Sequence, residues 1–126
     1  MPSVREVLTP LELEIMQALW DGGPATVSEA QARLGGKLAY TTVQTMLGVL
    51  LKKKKVRRQL VGRAFVYRPA LSREGAVAGA LSDLVGRMFG GSAEALLMSL
   101  IDTRQIGPDE IARAAKLLER EGERAE

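Results

Sequence analysis

Apolar residues along the first fifty positions recur at three- and four-residue intervals, the spacing of one helix face, and each run is bracketed by a start and a stop signal. Leu11, Ile15, Ala18 and Leu19 form the first run. Thr9 stands as its N-cap, Pro10 at its first position and Glu12 where a capping box needs a carboxylate. Trp20 closes this helix as a core anchor, and "DGGP" breaks it. The device repeats at Thr26 and Glu29, which open a short helix through Val27, Ala30, Gln31 and Leu34, stopped by Gly35-Gly36.

A third helix is predicted from about Tyr40 to Lys54. At about 100° per residue, Val43, Met46, Leu47 and Leu50 share one face. Thr41, Thr45, Gly48 and Lys52 share the other, with Gln44 and Val49 on its flanks. That second face is narrow, polar and small. Its mid-helix glycine costs about 1 kcal/mol relative to alanine.

Period and residue type then change. Val56–Leu60 and Ala64–Arg68 carry β-branched and aromatic residues around a Val61-Gly62-Arg63 turn, which predicts a hairpin ended by Pro69. Helical spacing returns with Val77, Leu81, Leu84, Val85 and Met88, in a helix capped by Ser72 and reaching about Phe89. "SAEALLMSLID" opens at Ser92, and Gly107-Pro108-Asp109-Glu110 opens a last helix with Ile111, Ala114, Ala115 and Leu118 on one side. The polar tail "EGERAE" is expected to fray.

Helix, helix, helix, hairpin is the order of a winged helix-turn-helix. The expected fold is mainly α with a small β-hairpin wing: a winged-helix DNA-binding domain over residues 1–70 and a C-terminal helical dimerisation region over 71–126.

Charge sharpens this picture. The net charge of +3 conceals a segment from Ala30 to Arg73 with eleven Lys or Arg and no Asp or Glu. Within it, "YTTVQTMLGVLLKKKKVRR" sets a threonine–glutamine surface beside six basic residues in the seven positions from Lys52 to Arg58. A basic middle in an acidic frame is the footprint of a polyanion surface. Cysteine and histidine are both absent, which removes disulfides, thiol chemistry, the usual general base and the usual transition-metal ligands. No metal or cofactor is expected, and no enzyme: Asp109 and Glu110 fit a helix first turn, where the helix dipole favours carboxylates, and they have no partner base. The segment "MPSVREVLTP" lacks the basic-then-apolar pattern of a signal peptide, and no apolar run spans a membrane. A cytoplasmic protein without direct membrane binding is expected.

The candidate DNA-binding residues follow. Side chains entering a major groove must be polar to meet base edges, and some must be small so that the helix can sit deep. Gln44 can pair with an adenine edge through two hydrogen bonds, while Thr41, Thr42 and Thr45 offer hydroxyls and methyl groups. Lys52, Lys53, Arg57 and Arg58 are placed to contact phosphates, with Arg63 at the wing tip and about half of the lysine run touching the backbone. The apolar positions Val77, Leu81, Leu84, Val85, Met88, Leu97, Ile111 and Leu118 are more than a monomer of this size buries, and are expected to form a dimer interface.

The chain resembles the BlaI/MecI family of penicillinase and methicillin-resistance repressors from Leu8 to about Arg120. The likeness rests on "LTPLELEIMQALW", "YTTVQTMLGVLLKKKKVRR", "GRAFVYRP" and "VGRMFGGSAEALLMSLI". It implies a homodimeric repressor that binds a palindromic double-stranded operator, with recognition-helix contacts at Thr41, Thr42, Gln44 and Thr45. It also implies release by regulated proteolysis through a membrane-bound sensor protease system. Three departures stand out. Gln44 replaces the basic residue usual in that helix, and Ser99-Leu100 aligns with the Asn-Phe pair at which the β-lactamase repressors are cut, within a retained "ALLMSLI". The cysteine motif of the copper-responsive branch is missing. The competing reading is a winged-helix protein-interaction module whose basic face docks an acidic partner.

Overall fold

The computed structural model describes residues 8–125; the opening segment that bears on a signal peptide lies outside them. Helix α1, Pro10–Gly22, begins with the expected capping box. The Thr9 hydroxyl accepts from the Glu12 N–H at 3.2 Å, and Glu12 Oε1 accepts from the Thr9 N–H at 2.8 Å. The helix runs two residues beyond Trp20, and Gly23 at φ 83° stops it. Gly22, the last residue of the helix, lies against the flexible end of the Arg33 side chain. A Cβ there would lie 2.7 Å from the Arg33 guanidinium carbon, and that guanidinium donates to the Ala18 and Gly23 carbonyls at the helix end.

Helix α2, Val27–Arg33, repeats the capping box with Thr26 and Glu29, and Leu34 falls just past its end. Helix α3, Tyr40–Lys52, stops two residues earlier than its apolar spacing suggests, because Lys54 adopts φ 63° and turns the chain out of the helix. Strands β1, Val56–Val61, and β2, Ala64–Pro69, pair antiparallel in a register set by the tight turn at Gly62-Arg63. Both run one residue further than their β-branched content marks, leaving a shorter turn.

Ile15, Met16 and Leu19 of α1, Val27 and Ala30 of α2, Val43, Leu47 and Leu50 of α3, and Val56 and Tyr67 of the hairpin make one buried core with Ala25. The wing is tied to it by a bridge between Ala25 and Tyr67, whose backbone groups exchange hydrogen bonds of 2.9 and 2.7 Å. Helix, helix, helix, hairpin packed in this way is a winged helix-turn-helix, as the element order implied.

Helix α4, Arg73–Met88, follows. The Trp20 indole N–H donates to the Leu71 carbonyl at 2.9 Å, and Arg73 pairs with Asp21 while its guanidinium lies 5.5 Å from the Trp20 ring centre. The chain divides into two compact units between Asp83 and Leu84, inside α4. The second unit holds the end of α4, helix α5 at Ala93–Asp102 and helix α6 at Pro108–Ala125. Ser92 caps α5 through a 3.0 Å bond from the Ala95 N–H. The C-terminal tail, expected to fray, is helical through Ala125: α6 carries acidic residues in its first turn and a basic one in its last, as the helix dipole favours.

Candidate nucleic-acid interface

The core packing of α3 decides which of its faces is free. Val43, Leu47 and Leu50 are fully buried and Met46 is half-buried, so the opposite side must face outward. Thr41, Gln44, Thr45 and Lys52 are exposed there; Thr42, Gly48 and Val49 are half-buried.

Between this face and the wing lies an open groove of about 420 Å³, lined in part by Ser28, Tyr40, Gln44, Gly48, Arg58 and Arg63. Tyr40, Gln44 and Gly48 enter it as one row at four-residue spacing. The structure thus brings Gln44 together with Arg58 and Arg63. It leaves Thr41 and Thr45 on the neighbouring row, outside the groove lining. The lining roles of Tyr40 and Ser28 were not foreseen. Tyr40 has a signal in the sequence, since it stands four residues before Gln44, whereas Ser28 depends on how α2 packs and has none. A Cβ added at Gly48 would meet no protein atom within 4 Å, so the glycine is not required by the protein's own packing.

The basic run divides by position. Lys52 and Lys54 are exposed. Lys53 sends its ammonium 2.7 Å to Glu12, whose side chain is 1% exposed. Lys55 is buried at the base of the hairpin, where its carbonyl accepts from the Ala70 and Leu71 N–H groups. Arg58 lies 3.9 Å over the Phe65 ring centre and donates to the Tyr67 hydroxyl at 3.4 Å, so the groove side of the wing holds its guanidinium in place. Arg57 is exposed and, by strand alternation, on the other face of the hairpin from Arg58. Arg63 sits exposed in the turn.

Burial pushes the Glu12 carboxyl up. The Lys53 hydrogen bond, the Thr9 N–H and the Lys53 charge outweigh it and hold the group below 4.5. Glu29 is held below its ordinary value by the Thr26 backbone and side-chain hydrogen bonds. Both shifts belong to helix starts, and neither marks acid–base chemistry. Glu110 also serves a helix start, accepting from the Gly107 N–H at 2.7 Å. Among the described residues, no three His, Cys, Asp or Glu side chains converge to hold a metal ion, and no single helix is long and apolar enough to cross a membrane.

The apolar positions picked out for dimerisation are largely uncovered. Val77, Leu81, Leu84, Met88, Leu97 and Leu118 are exposed, and Val85 and Ile111 are half-buried. Ser99 and Leu100 lie inside α5, both half-buried, with the Ser99 carbonyl accepting from the Thr103 hydroxyl at 2.7 Å.

The penicillinase repressor family matches residues 8–120. The chain belongs to that family. The penicillinase repressor of Bacillus licheniformis is 25% identical over 114 residues that cover 89% of each chain. The transcriptional regulator BlaI of Mycobacterium tuberculosis is 36% identical over 107 residues, covering 82% of this chain and 76% of the relative. Among solved structures, monomeric Bacillus licheniformis BlaI in complex with the blaP half-operator is 30% identical, covers 54% of this chain and 85% of that one, and has a TM-score of 0.47. A mutant MarR from E. coli, at 19% identity and a TM-score of 0.50, covers 90% of this chain and 76% of that one, and shares the fold. The family is one of transcriptional repressors, which is not an enzyme class.

Proposed function

We propose that the chain is a cytoplasmic, sequence-specific DNA-binding repressor that acts as a homodimer on a palindromic operator. One observation carries this reading: the outward side of α3 presents Gln44 and Gly48 to an open groove that Arg58 and Arg63 also line. Membership of a repressor family supports it. In this reading α3 enters the major groove. Gln44, Thr41, Thr42 and Thr45 meet base edges and adjacent phosphates, and the small surface at Gly48 lets the helix approach closely.

Lys52, Arg57, Arg58 and Arg63 contact the backbone and supply salt-dependent affinity. Lys53 has one donor on Glu12 and keeps its others for a phosphate. Residues 1–70 form the DNA-binding domain and 71–126 the dimerisation domain, which uses Val77, Leu81, Leu84, Val85, Met88, Leu97, Ile111 and Leu118. A two-fold dimer sets its half-sites apart by whole helical turns. Release by a membrane-bound sensor protease system belongs to the same reading, with Ser99-Leu100 as the cut. Because that pair is inside α5, the helix must open before a protease can take it as an extended chain.

Electrophoretic retardation of duplex DNA at moderate salt tests the proposal. Retardation that competitor DNA of unrelated sequence only partly removes is the expected result. No retardation favours the protein-interaction module instead.

A further inference from the structure

The hairpin has two faces, and the groove uses only one. Arg58, Phe65 and Tyr67 lie on the groove side. On the other side β1 and β2 place Arg57 directly opposite Arg68. Both are exposed, and neither side chain makes an ion pair or a hydrogen bond among the described residues. Like charges directly opposite each other in an antiparallel pair are destabilising. The sequence offers nothing to relieve them locally, since no Asp or Glu occurs between Ala30 and Arg73. Two guanidiniums on neighbouring strands can each give paired N–H donors to one tetrahedral anion, which turns the repulsion into a binding site.

We propose that Arg57 and Arg68 together hold a backbone phosphate of duplex DNA on the wing face turned away from the α3 groove, which makes Arg68 a contact residue. The proposal rests on the DNA-binding reading above and deepens it. The wing then sits between backbone phosphates, with Arg58 and Arg63 turned toward those on the groove side and the Arg57–Arg68 pair toward those on the other. The site carries no sequence information, because phosphate contacts position a protein without distinguishing bases.

The test is fluorescence anisotropy of a labelled duplex across a potassium chloride series, with wild type, Arg68→Ala, Arg68→Lys and Arg58→Ala. Between about 50 and 200 mM salt, losing one phosphate contact spares roughly 3.5-fold of the affinity drop. Arg68→Ala is expected to show that flattening, Arg68→Lys to keep most of the wild-type slope, and base preference to stay the same in both. Arg68→Ala should also melt no lower than wild type, since it removes a repulsion. A salt slope unchanged in Arg68→Ala but flattened in Arg58→Ala overturns the second phosphate site and leaves the groove reading intact. A lower melting temperature for Arg68→Ala overturns its premise. Failure of the wild type to bind the duplex at all overturns the DNA reading itself.

Discussion

The Glu12 carboxylate and the Lys53 ammonium lie 2.7 Å apart, joining the first turn of α1 to the residue that closes α3. The other oxygen of the same carboxylate caps α1 through the Thr9 N–H. One buried side chain therefore fixes a helix start and the end of the helix that carries the candidate interface. Burying this charge is tolerable because both oxygens are occupied.

Removing the lysine leaves that carboxylate buried without its cation. Lys53→Ala is expected to cost about 1–2 kcal/mol in urea denaturation, the lower part of the range for a charged hydrogen bond, because Lys53 is itself partly exposed. Lys52→Ala, at an exposed neighbour, should leave stability within about 0.5 kcal/mol of wild type. Equal stabilities for the two variants would show that the pair contributes nothing.

The same pair predicts a dependence on pH. A carboxyl held below its unfolded value stabilises the fold above that value, and the contribution is lost as pH falls through the folded value. The loss should begin near pH 4.5 and deepen with further acidification. Urea midpoints measured from pH 6 to pH 3 should fall more steeply for wild type than for Glu12→Gln. Parallel curves would contradict the assignment.

Gly48 separates folding from binding. Its Cβ position is open, so Gly48→Ala is expected to stabilise the free protein by about 0.5–1 kcal/mol through helix propensity alone. The added methyl projects where the duplex is proposed to approach, so affinity for DNA should fall while the melting temperature rises. A variant that is both more stable and equally tight would show that nothing comes close to this position.

The exposed apolar residues of the second unit test the proposed dimer. Met88 is 71% exposed and Leu118 74%. Met88→Asp combined with Leu118→Asp is expected to shift sedimentation equilibrium from dimer to monomer, with the helical circular dichroism signal retained. A dimer that survives both charges would place the interface elsewhere.

What the sequence reveals about this chain is what local chemistry decides. The two capping boxes stand out because Thr9–Glu12 and Thr26–Glu29 lie three residues apart. The buried side of α3 stands out because Val43, Leu47 and Leu50 keep the helical period. The end of α3 is misplaced by that same period, since Lys54 leaves the helix through a left-handed conformation that no propensity marks. The lysine run reads as one block of charge, yet the fold gives Lys53 to Glu12, a partner 41 residues away, and buries Lys55 beneath the hairpin. Long-range pairing of this kind has no signature in spacing. The composition of the groove shows the same divide: Gln44 is evident from the helix, while Arg58 joins it only through strand register and the Phe65 ring.

The central claim is that α3 distinguishes bases through Gln44, and selection of bound duplexes from a random pool tests it most directly. Wild type is expected to enrich a two-fold symmetric motif. Gln44→Ala should lose the preference at one base pair in each half-site, bind the wild-type motif about 1–3 kcal/mol more weakly, and keep the remaining positions. An identical motif bound equally tightly by both proteins, or a uniform loss of affinity on every duplex, would contradict it.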